Sequence, residues 1–245
     1  MPTPNDWLIL AAGAFCIGVG KAGFGGVGML ALIAFALVLP ARESTGAILP
    51  LLIAADVLAI IAFARHVVWR QVFLLLPPAL AGVVVGFLVM PRVPDGLFAP
   101  LIGWMILALL AMTLAMKVSP AMRNLTLEHP QTANLLGFLA GVSTMLANAA
   151  GPIVTLYLLA CRLPKMLLVG TAAWYFFILN TLKVPFSAGL GLITRDSLNM
   201  NLFLVPAVIV GFFIGRWVLG RISQAVFEIL LLIFAFVGAI RLIVG

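Results

Sequence analysis

Charge is what this chain of 245 residues has least of: 14 Lys and Arg against 7 Asp and Glu, together 9% of the whole. Soluble domains carry roughly a quarter charged residues and about half apolar ones, whereas 64% of this sequence is hydrophobic. A water-soluble globule is excluded, because too little polar surface is left to coat it. Cysteine is nearly absent. Cys16 and Cys161 stand far apart inside apolar runs, which offers neither a disulfide framework nor a metal-ligand spacing and leaves them as small packing residues. The two histidines, His66 and His129, are remote from other ligand-type residues, so no metal and no cofactor is expected. The net charge of +7 comes from basic residues standing singly, which makes them loop charges rather than a nucleic-acid surface. A basic leader is lacking too: Met1-Pro-Thr-Pro-Asn-Asp6 precedes the first apolar run, so that run is expected to stay in the mature protein.

What the sequence has in abundance is long hydrophobic runs. Breaks at Gly, Pro and charge divide it into ten segments, roughly 7–20, 24–39, 44–64, 72–91, 97–116, 132–146, 150–161, 166–189, 199–219 and 224–244. Spanning a bilayer takes about 20 apolar residues, so six of these reach across and four are short. The short ones form two adjacent pairs, each joined by an unusual break: Gly20-Lys-Ala-Gly-Phe-Gly-Gly-Val-Gly28 and Asn148-Ala-Ala-Gly-Pro152. Each pair reads as a helical hairpin, or as two short spans.

The pairs occupy matching places in two halves. An offset of 124 puts Gly13 on Gly137, Pro40 on Pro164, Gly46 on Gly170 and Asp56 on Asn180; further on, an offset of 129 puts Pro77, Gly82, Gly86, Arg92 and Phe98 on Pro206, Gly211, Gly215, Arg221 and Phe227. Matches in order that include Pro, Asp/Asn and Arg indicate duplication. Each half holds an odd number of spans by either reading, so the halves insert with opposite orientation. The expected fold is an all-α integral membrane protein of two inverted-topology repeats, each a short interrupted helix pair followed by three transmembrane helices. Residues 1–116 form the first repeat, 117–131 a connector with Arg123, Glu128 and His129, and 132–245 the second. Interrupted segments at matching positions of inverted repeats point to a secondary transporter and to its binding site.

Counting Lys and Arg by side gives 8 on one (Arg65, Arg70, Lys117, Arg123, Arg162, Lys165, Arg216, Arg221) and 4 on the other (Arg42, Arg92, Arg195, Arg241). Cytoplasmic loops carry the excess, so the connector is expected inside and both termini outside the cytoplasm, in a multi-pass protein of the cell inner membrane.

The breaks suggest what is carried. A glycine run lets backbone approach a ligand closely, and the unpaired amides at a helix start hold an anion with help from the helix dipole. Pro152 suits the first turn of a helix, where its missing N–H costs nothing. Tight helix packing is the alternative use of these glycines. A nucleotide loop is rejected, since Gly18-Val-Gly20-Lys21 lacks the Gly-Lys-Ser/Thr ending.

The run Gly18-Val-Gly-Lys-Ala-Gly-Phe-Gly-Gly-Val-Gly28, the later Gly82-Val-Val-Val-Gly86, and their counterparts Gly137 to Gly141, Gly151-Pro152 and Gly211-Phe-Phe-Ile-Gly215 resemble the TauE/SafE family over nearly the whole chain. The resemblance implies an integral-membrane transporter of sulfur-containing anions such as sulfite, thiosulfate or organosulfonates. The chain departs from that pattern at Asn148-Ala-Ala-Gly-Pro152, where a Gly-rich run would stand, so the halves are expected to contact substrate unequally.

Ionisable residues within membrane segments cost about 2.5 to 3.5 kcal/mol each on insertion scales and are functional candidates by default. Lys21 and Lys183 are expected to neutralise the anion, with snorkelling to the interface as the alternative for each. Asp56, near mid-membrane, is the candidate coupling group, either carrying a proton or forming a structural ion pair with one of the lysines. Gly23, Gly25, Gly26, Asn148, Gly151, Ser143 and Thr144 complete the expected substrate site. Thr45, Thr171 and Tyr157 are weaker polar candidates, since hydroxyls also bond their own helix carbonyls. The glycine pairs at 82/86, 137/141 and 211/215 read as helix-packing positions, and Trp7, Trp69, Trp104, Trp174 and Trp217 as interfacial anchors. The expected partners are a small anion, the lipid bilayer and a second copy of the chain in a homodimer. An anion-selective channel is the second reading; an enzyme is disfavoured, for no Ser/His or carboxylate/His constellation lies in the apolar segments.

Overall fold

The computed structural model describes residues 3–92, 100, 103, 104, 106–108, 110, 111, 114, 115 and 130–244. Most of the expected segment 97–116, Phe98 and connector residues 117–129 with Lys117, Arg123, Glu128 and His129 lie outside the described residues.

Among the described residues the secondary structure is helical: α1 Pro4–Lys21, α2 Gly28–Val38, α3 Ala41–Phe63, α4 Trp69–Val89, α5 Pro130–Ala147, α6 Ala150–Ala160, α7 Lys165–Gly189, α8 Arg195–Arg221 and α9 Gln224–Val244. Local chemistry sets the ends. Thr3 caps α1 through a reciprocal box with Asp6, with Pro4 in the first turn, and Thr194 with Ser197 does the same for α8. Pro40 and Pro164 stand just before α3 and α7. At the other end of α8 the Lys165 ammonium donates to the carbonyls of Leu219, at 3.1 Å, and Ile222, a cation on the negative end of a helix.

Five of these helices are long and apolar enough to cross a membrane: Arg42–Phe63 within α3, then α4, α7, α8, and Gln224–Arg241 within α9. Ile61, Phe73, Leu202 and Phe203 on them are exposed, as lipid-facing residues are. By contrast α2 and α6 have 11 residues each, about 16 Å at 1.5 Å per residue, roughly half the hydrocarbon thickness.

The first pair is an antiparallel hairpin. A Cβ at Gly20 would stand 2.9 Å from the amide nitrogen of Gly28, and one at Gly13 would stand 2.9 Å from Ala34. The second pair, α5 and α6, turns within residues 148 and 149, where the N–H groups of Asn148 and Ala149 donate to Thr144 and Ser143 carbonyls.

Packing repeats when the halves are exchanged. α1 packs on α8 and α4 on α5; α3 packs on α8 and α4 on α7; α3 and α7 meet each other. The crossings rest on backbone contact: a Cβ at Gly211 would lie 2.1 Å from the Phe15 carbonyl oxygen, and one at Gly82 would lie 2.1 Å from that of Phe138. Gly18 sits on the Val208 carbonyl and Gly141 on that of Ala79 in the same paired way. These contacts relate α1 to α5 by an offset of 123, not 124. Gly13 faces Ala34 and Phe35 of α2, whereas Gly137 faces the Leu75 carbonyl of α4, so that sequence match was a coincidence of glycine-rich segments. The offset of 124 does hold for α3 and α7. Gly46 packs on Leu192 just before α8, and Gly170 on His66 just before α4, which makes α3 and α7 antiparallel.

Substitution of Gly82 by Val is expected to lower stability by about 3 kcal/mol or more through overpacking against backbone. Gly220→Ala, whose Cβ would meet nothing within 4 Å, is expected to leave it unchanged. Thermal unfolding of both variants in detergent checks the contrast.

Candidate functional site

The two hairpin turns meet. A Cβ at Gly151 would stand 3.2 Å from the Gly25 carbonyl oxygen, and one at Gly25 would stand 2.8 Å from Thr155 Oγ1, so this close approach needs glycine on both sides. Gly23 has φ +131°, a conformation that L side chains rarely adopt. Beside the crossing is a cavity of about 70 Å³, bordered by Gly20, Lys21, Gly23, Gly25 and Gly28 from one hairpin and Thr144, Asn148, Gly151, Pro152 and Thr155 from the other. Ile17, Leu32, Ile48, Leu52 and Phe176 give it apolar walls. Both short helices begin at this cavity, and neither N-cap, Val27 nor Ala149, makes a side-chain capping bond. At α2 the Met29 and Leu30 amides turn back to the Gly26 and Val27 carbonyls, and at α6 Pro152 has no N–H; the positive dipole ends of both helices stand beside the cavity.

Lys21 closes α1 at the cavity wall. Its ammonium lies 2.7 Å from Asp56 Oδ1 and 4.4 Å from the centre of the Phe176 ring. The carboxylate is fully buried while the lysine side chain stays 14% exposed and borders the cavity. Asn180 Nδ2 donates to Asp56 Oδ2 at 2.7 Å. The residues matched by the 124 offset therefore touch each other where α3 crosses α7.

Lys183 is 2% exposed, so it does not snorkel. It also does not border the cavity. Its ammonium donates to the Thr144 carbonyl at 3.0 Å, to Thr144 Oγ1 at 3.3 Å and to Asn148 Oδ1, tying α7 to the second hairpin. Asn148, at φ +50°, is held from its other end by donation to the Thr45 carbonyl at 2.9 Å. Gly26 lies away from the cavity, packed on Phe234 of α9, and the Ser143 hydroxyl donates to its own helix at Ala140. Thr171 accepts from the Val68 amide at the start of α4, and Tyr157 donates to Gln71 at 2.9 Å; both are ties between helices.

The structure thus brings Lys21, Gly23, Gly25, Asn148, Gly151 and Thr144 to one cavity, sets Asp56 and Lys183 behind its wall, and leaves Gly26 and Ser143 apart. Sequence reasoning passed over Thr155 and Phe176, and matched Asn180 to Asp56 without placing it at the site. Thr155 lies one turn beyond Gly151 and Phe176 one turn before Asn180, the spacing that places two residues on one helix face. Among the described residues no cluster of His, Cys, Asp or Glu could hold a metal ion.

Membrane-length helices with exposed apolar surfaces, and two half-length helices meeting end-on at one cavity, define a multi-pass membrane protein of the transporter class. The chain belongs to the family described as Sulfite exporter TauE/SafE, which it matches over residues 10–242. The members of that family are membrane transporters. No curated protein and no solved structure matches the chain significantly.

Breaking the buried pair from one side leaves an uncompensated charge, a loss of about 3–5 kcal/mol in comparable cases. Asp56→Asn is therefore expected to destabilise more than the double variant Lys21→Met/Asp56→Asn, with a coupling of about 1 kcal/mol or more in a double-mutant cycle read by unfolding.

Proposed function

We propose that this protein is a secondary transporter of sulfur-containing anions, working by alternating access with the substrate held at the cavity between two inverted repeats. The observation that carries the reading is the convergence of two uncapped helix starts and the Lys21 ammonium on one cavity. Main-chain N–H groups and one cation bind a sulfonate or sulfite head, whose three oxygens accept from several directions. The apolar walls at Ile17, Leu32, Ile48, Leu52 and Phe176 favour a substrate with an organic tail. The packing that repeats on exchange of halves, with α3 and α7 antiparallel, supports the inverted duplication. The protein is placed in the inner membrane, and the charge asymmetry of the loops orients both termini outside the cytoplasm.

Coupling follows from the ion pair. An anion that draws Lys21 to itself takes the cation away from Asp56, and a buried carboxylate without a partner is costly. A proton discharges it, so anion and proton cross together.

Purified protein is expected to be stabilised against heat by sulfite, thiosulfate and alkanesulfonates, with the effect lost in Lys21→Ala. Stabilisation by carboxylates alone overturns the substrate class. In vesicles, proton-driven sulfonate flux is expected to disappear in Asp56→Asn, normalised to folded protein; unchanged pH-driven flux overturns the coupling role. Saturable flux with trans-stimulation separates a carrier from an anion channel, which would carry ohmic current.

A further inference from the structure

Lys183 is the buried ionisable group that substrate binding leaves unused. Its ammonium is enclosed by neutral oxygens: a main-chain carbonyl and a hydroxyl from Thr144 and the amide oxygen of Asn148. Among the described residues it makes no ion pair within 4 Å; the carboxylate nearby, Asp56, is paired with Lys21. This is the environment of an ion in a cage rather than of a salt bridge.

The cage is held by bonds that do not involve the lysine. All its oxygens come from one turn at the end of α5, where helix carbonyls point outward with the negative end of the dipole. The Asn148 amide is fixed in orientation by its bond to Thr45 on α3, and its main-chain N–H returns to the Thr144 carbonyl. Ends of interrupted helices are places where transporters coordinate alkali cations, and carbonyl, hydroxyl and amide oxygens are hard ligands suited to such ions. Thr144 and Asn148 also border the cavity, so ions and water would reach the cage if the lysine were absent. The first half has no such cage: by the 123 offset the place of Thr144 is taken by Lys21 itself, directed at a carboxylate.

We propose that the Lys183 ammonium is a built-in cation occupying an alkali-cation cage formed by Thr144 and Asn148, so that the protein carries as a tethered charge what would otherwise be a bound Na⁺ or K⁺. The cage stands on its own geometry; its consequence for transport, independence from Na⁺ and K⁺, rests on the transporter reading above.

Removing the side chain empties the cage, and a free cation should then fill it. For Lys183→Ala, replacing choline chloride by about 100 mM NaCl or KCl is expected to raise the melting temperature by about 4 °C or more, as for a ligand that binds only the folded state. Wild type and Lys183→Arg, whose cages are filled, are expected to shift by less than about 1 °C in the same exchange. Adding Thr144→Val to Lys183→Ala should abolish the response. Should Lys183→Ala fail to fold in every salt, Lys183→Met, which keeps the stem and loses the charge, decides with the same readout. Indifference of the folded Lys183 variant to alkali cations, or an equal response in wild type, overturns the proposal. Heat stabilisation of wild type by a sulfonate in choline chloride tests the anion site separately, and its absence would refute that site while leaving the cation result to stand.

Discussion

A helix that stops inside hydrocarbon leaves up to four carbonyls at one end and four N–H groups at the other without partners or water. In this protein α1 with α2 and α5 with α6 turn back through short breaks, each of which sets a helix end beside a helix start. A lysine stands at each negative end: Lys21 lies in the last turn of α1, and Lys183 donates to the Thr144 carbonyl in the last turn of α5. The positive ends of α2 and α6 receive no side-chain cap and open on the cavity. Cations placed at carbonyl ends, with amide ends left open, make the cavity a place where negative charge is stabilised.

The two hairpins are anchored by the same kind of bond with its direction reversed. In the first half the ammonium is on the hairpin and its acceptor, Asp56, on the third helix; in the second half the ammonium, Lys183, is on the third helix and the acceptors, Thr144 and Asn148, on the hairpin. Asn180 joins the two third helices by its bond to Asp56. Polar contacts therefore tie the first break to α3 and α7 through Lys21, Asp56 and Asn180, and, nearly one turn further along α7, tie the second break to Lys183.

Much of this was legible in the sequence, for identifiable reasons. Low charge and run length are enough to announce spanning helices, and breaks rich in Gly and Pro announce the hairpins. Lys21, Asp56 and Lys183 stand out because an ion in an apolar run has few explanations. Partners are another matter: that Lys183 turns to Thr144 and Asn148 instead of the cavity, or that Gly26 packs on α9 while Gly25 meets Gly151, depends on which face of a helix points where, and glycine carries no hydropathy signal to tell it. The same poverty of signal produced the one-residue error in matching α1 to α5. Thr155 and Phe176 escaped notice because a threonine or phenylalanine in an apolar helix is ordinary until a neighbouring helix gives it something to face.

Asp56 and Asn180 are matched positions that meet side by side. An acid at both places would set two negative oxygens against one another in a buried space, and an amide at both would leave Lys21 without its counter-ion. A strictly twofold ancestor, such as a dimer of one repeated unit, could not have held this arrangement. In this chain one half supplies the acid and the other the donor. Under the proposed transport cycle the two end states then differ in energy, which biases the state the resting protein occupies, while gradients alone set the direction of net flux.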